Sequence, residues 1–216
     1  MLISWSTGKD SAWMLRTLKT DPEVEIQGIF TTINKDAKRT AMHAVRLELL
    51  KKQSLALKLP LRLLEIPYPC PNTTYESIMN KFTDECRLRG IQTFAFGDLF
   101  LKDIRNYREQ QFKNSNIRLR FPLWEMDTMK LANQMISGGL KAIVTCVDLK
   151  RLPADFAGRE FDQSFLNELP EGVDPCGEFG EFHTFVYDSP DFSSPIAFSP
   201  GLTSEKDGFA FADLIP

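Results

Sequence analysis

The sequence lacks the features that mark membrane, secreted and zinc-binding proteins. No run within its 216 residues approaches the roughly 18 consecutive apolar residues that a membrane helix needs. The chain reaches Lys9 and Asp10 too early for the charged and apolar zones of a secretory signal. Its four cysteines form no C-x-x-C pair, and no histidine follows them at zinc spacing. We therefore expect a cytoplasmic protein with free thiols and no metal ligands of its own.

A clustered positive charge is also missing. The net charge is -3, and acidic and basic residues are interspersed, whereas nucleic-acid binding favours a basic patch. One stretch is locally basic, although a solvated helix and loop is its simpler interpretation, and it contains Arg105, Arg108, Lys113, Arg118 and Arg120. We expect neither a membrane nor, on balance, a nucleic acid as a partner.

Strand-like and helix-like patterns alternate over the first part of the chain. The apolar start precedes a helical pattern from Ala12, and the β-rich stretch 23–34 precedes a helical pattern over 40–59. Further strands are predicted at 60–67, 91–99 and 117–124, with helices at 75–90 and 107–114 between them. Such alternation is typical of parallel βαβ units. It predicts an α/β fold with a doubly wound, parallel, five-stranded, Rossmann-like sheet.

The pattern changes beyond Trp124. Helices are predicted at 128–139 and 159–169, and strands at 140–148 and 181–188. We therefore predict two domains, residues 1–123 and a smaller mixed α/β domain of residues 124–216.

Residues 6–11 read Ser-Thr-Gly-Lys-Asp-Ser and lie between the first predicted strand and helix. At that position unpaired N–H groups and the helix dipole favour an anion. The stretch is no Walker A loop, because Asp10 follows Lys9 and no glycine stands at position 3, and the chain contains no G-x-G-x-x-G. A phosphate-binding loop is the favoured interpretation, and a helix-capping turn is the alternative.

Residues 174–184, Asp-Pro-Cys-Gly-Glu-Phe-Gly-Glu-Phe-His-Thr, hold carboxylates and an imidazole close together. If 181–187 is a strand, Glu181 and His183 share one face. Such a pair can act as a base or hold an ammonium ion, and Gly177 and Gly180 would supply turns. A polar hairpin without a site is the alternative from this stretch alone.

The loop resembles the pyrophosphate-binding loop of the N-type ATP pyrophosphatases, which have the adenine nucleotide alpha hydrolase fold. Those enzymes cleave ATP between the α and β phosphates. The usual loop is S-G-G-x-D-S, so Thr7 departs from it. If the backbone at that position has φ > 0, threonine costs conformational energy that glycine does not.

The second stretch resembles the E-N-G-E-[FY]-H-T signature of the diphthine–ammonia ligase family, a branch of that superfamily. The likeness extends to "AMHAVRLELL", "FGDLFLKDIRNYRE" and "FPLW". Phe179 stands at the family's asparagine position, so the substrate or its pose is expected to differ. The compact layout also resembles bacterial relatives, for which diphthamide chemistry is not expected.

The resemblance implies an enzyme that uses ATP and Mg²⁺ to adenylate a carboxylate and transfers ammonia to it. It implies catalytic roles for Lys9, Glu178, Glu181 and His183. It also implies that the nucleotide is bound by Ser6, Thr7, Gly8, Lys9, Asp10 and Ser11 and, near the adenine, by Phe30, Thr31 and Thr32. The implied substrate-binding residues are Gly97, Asp98, Gly180 and Thr184.

Other functions and candidates are left open. A tRNA-modifying ATP pyrophosphatase and a non-catalytic adenine nucleotide-binding protein are the alternatives to the ligase. His43, near a helix start, and Asp148, at a strand end, are lesser candidates. The acceptor, the ammonia source and whether the chain forms a homodimer are also left open.

Overall fold

A computed structural model describes residues 1–40 and 45–216. The strands are β1 (Leu2–Ser4), β2 (Gly28–Asn34), β3 (Arg39–Thr40), β4 (Leu61–Ile66), β5 (Thr93–Ala95), β6 (Arg118–Arg120), β7 (Lys141–Asp148), β8 (Phe182–Asp188), β9 (Ser199–Lys206) and β10 (Phe209–Ile215). The helices are α1 (Lys9–Lys19), α2 (Leu47–Leu57), α3 (Asn72–Leu88), α4 (Lys102–Phe112), α5 (Thr128–Ser137) and α6 (Gln163–Glu168), with a 3-10 turn at Ala154–Phe156.

The first sheet is parallel along its main path, with strand order β4-β2-β1-β5-β6. The predicted doubly wound α/β fold is thus confirmed. The short β3 adds a sixth strand, which pairs antiparallel with the end of β2. Strands β2 and β4 lie on one side of β1, and β5 and β6 lie on the other. The strand order therefore reverses beside β1, which is where such sheets bind ligands.

The second sheet is antiparallel, with order β8-β7-β10-β9. Its β7 and β8 are the strands predicted at 140–148 and 181–188. Strands β9 and β10 were not predicted, and α6 is shorter than the predicted helix at 159–169. The two sheets lie on either side of residue 123 in the chain, and the division into two domains stays a prediction.

Two large apolar clusters hold the helices against the sheets. One contains residues of both sheets and of α1, such as Ile3, Leu15, Val144 and Phe182. The other is rich in phenylalanine and packs α3 and α4 against the first sheet. Burial of each large apolar side chain contributes about 1.5–3 kcal/mol.

Helix α2 begins at Leu47, later than the predicted 40–59. The lesser candidate His43 lies outside the described residues. Within the described parts of the chain, no helix has the length and apolar character needed to cross a membrane.

Candidate active site

A cavity of about 390 Å³ opens at the carboxyl ends of β1 and β5. The loop of residues 6–11 forms one wall, and residues 176–184 form another. Many predicted site residues line it, namely Ser6, Lys9, Asp10, Ser11, Gly97, Asp98, Glu178, Gly180, His183 and Thr184. Two stretches that are far apart in sequence therefore face the same space.

The loop has the predicted position, because β1 ends at Ser4 and α1 begins at Lys9. The Ser11 hydroxyl donates to the Gly8 carbonyl (2.9 Å) and accepts from the backbone N–H of Ser6 (3.3 Å). The N-cap residue of α1 is Gly8, which has no side chain to cap the helix. The loop is therefore closed by its own short bonds, and the helix N-terminus adds a favourable dipole for an anion.

Thr7, at the family's glycine position, has φ of 75° and is fully buried. A β-branched residue in this left-handed region costs about 1–2 kcal/mol. Its carbonyl accepts from the Val186 N–H (2.9 Å) and from Nε2 of Gln53 (3.0 Å). The backbone at Thr7 therefore has the positive φ at which threonine costs more conformational energy than glycine. The two hydrogen bonds to its carbonyl hold the strained residue in place.

Gln53 ties the loop to the second sheet. Its Nε2 also donates to the Val186 carbonyl (2.7 Å), and its Oε1 accepts from Trp5 Nε1 (2.7 Å). The side chain is fully buried in α2, with its amide donors and its acceptor used. The sequence pattern gave no sign of this residue, because its partners come from two stretches far from it in the chain, residues 5–7 and Val186.

Lys9 lies at the meeting point of the loop and residues 174–184. Its Nζ donates to the Cys176 carbonyl and to Asp10 Oδ2 (3.0 Å), and it lies 5.0 Å from the centre of the Phe182 ring. Burial lowers the lysine pKa, but the charge of Asp10 and the other negative groups outweigh it, so the pKa stays above its ordinary value. Lys9 is therefore a permanently charged group in the cavity wall.

Glu178 is the carboxylate best suited to proton transfer. Its Oε1 accepts from the backbone N–H groups of Leu99 (2.9 Å) and Phe100 (3.3 Å). Burial is the main reason that its pKa rises to about 7, although these N–H groups act in the opposite direction. The side chain lines the cavity, so it can exchange a proton there near neutral pH.

Glu181 and His183 lie in different surroundings. Strand β8 begins only at Phe182, and the buried Glu181 accepts from the Asp174 N–H (3.0 Å) with Arg151 at 3.8 Å. Glu181 does not contribute to the cavity lining within the described residues. His183 lines it and also borders a second cavity of about 450 Å³ beside the ends of β2 and β4. The catalytic roles of both residues stay predictions.

The end of β5 packs tightly on the loop. A Cβ on Gly97 would lie 3.2 Å from the Asp10 carbonyl, so glycine permits this approach. Asp98 accepts two hydrogen bonds from Arg108, which also lines the cavity. Arg108 is an addition to the predicted site, because the turn of α4 that carries it is brought here only by the fold.

The predicted adenine contacts lie away from this cavity. The Phe30 ring packs among Phe82, Phe94 and Phe96, and the Thr31 hydroxyl donates to the Trp5 carbonyl (2.7 Å). Neither residue lines the first or the second cavity, nor does Thr32. Their nucleotide contact stays a prediction, and Asp148 stays a lesser candidate without an assigned role.

Comparisons with known proteins agree with the second motif. Residues 127–206 match the family model of the diphthamide synthase C-terminal domain. Diphthine–ammonia ligase of Danio rerio is 34% identical over 118 residues, 50% of this chain and 46% of that protein. The protein of the same name from Bos taurus is 35% identical over 118 residues, 51% of this chain and 44% of its own. The predicted resemblance to the diphthine–ammonia ligase family is confirmed.

This likeness covers only part of each protein. The alignments span less than half the length of those two diphthine–ammonia ligases. The stretch shared with the diphthamide synthase C-terminal domain runs from just before α5 to the end of β9, and it includes residues 174–184. The part of the cavity wall that carries Glu178 and His183 therefore belongs to the shared stretch.

Proposed function

We propose that this chain is an ATP-dependent amide ligase that forms AMP and pyrophosphate. One observation carries the proposal: the phosphate loop and residues 174–184 meet directly, with the Lys9 backbone N–H donating to the Thr184 hydroxyl over 3.1 Å. An anion on the loop would therefore lie beside a carboxylate with a raised pKa. The names of the related ligases support the ligase class.

In the first half-reaction, an oxygen of the acceptor carboxylate would attack the α phosphorus of ATP. The α–β bond would break, and pyrophosphate would leave with the bonding electron pair. Lys9 and the hydroxyls of Ser6 and Ser11 line the cavity where that charge would grow. Fixed donors at the site of developing charge typically contribute about 10²–10³-fold in rate.

In the second half-reaction, ammonia would attack the acyl carbon, and AMP would leave. The new C–N bond makes the nitrogen positive, so it must lose a proton. Glu178 is the proposed acceptor, because its pKa of about 7 leaves much of it ionised at neutral pH. His183 borders the same space and is the second candidate for this proton.

Mg²⁺ is proposed to enter with the nucleotide. The cavity carboxylates of Asp10 and Asp98 are already paired with Lys9 and Arg108. No group of three metal-ligating side chains occurs within the described ranges. The donor set thus suits a cation held chiefly by phosphate oxygens, which would neutralise their charge.

The test is product analysis. The protein is incubated with ATP, Mg²⁺, ammonium and a panel of carboxylic acids, and nucleotides and pyrophosphate are separated. We expect AMP and pyrophosphate in equal amounts with an amide product, and none without an acceptor. Release of ADP and phosphate instead would contradict the proposal. Salt-sensitive tRNA binding would support the tRNA-modifying alternative, and ATP binding without turnover would support the non-catalytic one.

A further inference from the structure

Arg108 lines the same cavity as Lys9. It extends from α4, and its Nε and Nη2 donate to the two carboxylate oxygens of Asp98 over 2.6 and 3.1 Å. Its guanidinium carbon lies 4.3 Å from the centre of the Phe96 ring. These contacts fix the plane of the guanidinium without covering it, since a quarter of the side chain stays exposed.

The remaining donors of Arg108 are available to a ligand. A guanidinium carries five N–H donors, and Asp98 engages Nε and Nη2 only. The Nη1 group makes no hydrogen bond within the described residues. An arginine that is oriented by one carboxylate and stacked on a ring pays little entropy on binding a second oxyanion.

The charges around the cavity show why a second cation matters. Lys9 is 2% exposed and is already bonded to Asp10 and to the Cys176 carbonyl. The carboxylates of Asp10, Asp98 and Glu178 share the lining. A bound polyphosphate would therefore meet several negative groups. Of the two cations Lys9 and Arg108 in the lining, Arg108 has more donors outside the bonds described above.

We propose that Arg108 is a nucleotide-binding residue that contacts the α-phosphate. The inference rests on the proposed function, in which the loop holds the two outer phosphates. The next phosphate along the chain would then extend from the loop towards the β5 and α4 wall, where Arg108 lies. There it would stabilise the charge that grows on the α-phosphate oxygens during adenylation.

Arg105 offers a matched control on the same helix. It stacks on Phe121 and Trp124 and pairs with Glu109 (2.8 Å), so it has comparable contacts with rings and a carboxylate. It does not line the cavity. Replacement of either arginine by glutamine removes one charge and one stacked side chain from α4.

The experiment measures binding of ATP, AMP and pyrophosphate by calorimetry to the wild type and to Arg108→Gln, Arg108→Lys and Arg105→Gln. We expect Arg108→Gln to weaken ATP and AMP about 10- to 100-fold and pyrophosphate less than about threefold. Arg108→Lys should recover part of the loss. Arg105→Gln should bind all three like the wild type.

Each alternative outcome has a distinct meaning. Unchanged ATP and AMP affinity in a folded Arg108→Gln protein would overturn the role of Arg108, even if the wild type makes AMP. If Arg108→Gln lost the same affinity for ATP, AMP and pyrophosphate, Arg108 would only stabilise the fold. The same conclusion would follow if Arg105→Gln lost as much affinity as Arg108→Gln. A wild type that binds none of the probes would instead contradict the proposed function.

Discussion

The loop at residues 6–11 and the segment at residues 174–184 face the same cavity but are held there differently. The loop closes on itself, as in the bond from the Ser11 hydroxyl to the Gly8 carbonyl. The segment depends on distant partners, since Glu178 is held by the backbone of Leu99 and Phe100. The loop combines local bonds with distant ones to Thr7, and its position was predicted from the sequence. The Glu178 carboxylate, by contrast, acquires its raised pKa only in the complete fold.

The largest expected effect comes from the residue that joins the two regions. Lys9→Gln keeps a donor for the Cys176 carbonyl but removes the positive charge beside Asp10. We expect AMP formation to fall about 100- to 1000-fold, because a fixed charge at the reacting phosphates is lost. Pyrophosphate release measures the rate.

Lys19→Gln on the same helix is the control. Lys19 pairs with Asp191 at the surface, and its side chain is 41% exposed. It should retain the wild-type rate. Equal activity of Lys9→Gln and Lys19→Gln would show that the loop and the segment do not act together.

Gln53→Glu tests the bonds that link the loop to the second sheet. The change is isosteric, but a carboxylate cannot donate to the carbonyls of Thr7 and Val186. We expect unfolding in urea to require about 2–3 kcal/mol less free energy, because buried acceptors lose their donors. Gln134→Glu on the exposed side of α5 should cost less than about 0.5 kcal/mol. A similar small loss for Gln53→Glu would mean that the loop holds its geometry unaided.

The raised pKa of Glu178 predicts that the stability of the protein depends on pH. Its native pKa of about 7 lies above its ordinary value of 4.5, so the folded protein holds the proton more tightly than the unfolded chain. The stability that this proton contributes is complete below about pH 4.5 and is lost as the pH rises through about 7. We expect the free energy of unfolding, measured in urea, to decline between about pH 5 and about pH 8 in the wild type. The decline should be smaller in Glu178→Gln. Identical declines would place the carboxylate in a water-like environment.

The smallest effect concerns Thr7. Thr7→Gly removes the cost of a β-branched residue at φ of 75°, and it also removes a buried hydroxyl that makes no hydrogen bond in the described structure. The greater freedom of glycine in the unfolded chain offsets part of this gain. We expect a net gain of about 1 kcal/mol in the free energy of unfolding. Loss of stability would show that the threonine side chain packs better than its backbone angle suggests.

Most of the first sheet could be predicted because its strands and helices have distinct local patterns. Strand β4 lies between two prolines, and the predicted positions of β1 and α1 placed the loop. The contacts of Arg108 and Gln53 could not be predicted: Arg108 lies in the family-like stretch 96–109, which gave it no role, and Gln53 lies in none of the quoted motifs. Their roles come from partners that the chain brings close only after folding.

The hairpin of β9 and β10 was missed although its sequence carried a signal. Asp207 and Gly208 form the turn with φ of 53° and 83°, which is the backbone that Asp-Gly favours between two strands. The alternation Phe209-Ala210-Phe211-Ala212 follows directly. The exposed residues of β9 lack any such alternation, which obscured the pair.

The bond from Val186 to Thr7 has a consequence for solubility. The antiparallel sheet ends in β8 on one side and in β9 on the other, and an open edge strand is a template for pairing with another chain. At Val186, Thr7 and Gln53 occupy the N–H and the carbonyl of the β8 edge. Thr7 and Gln53 thus block pairing with another chain at this point of the edge, so substitutions at Thr7 are constrained by more than the phosphate that the loop would bind.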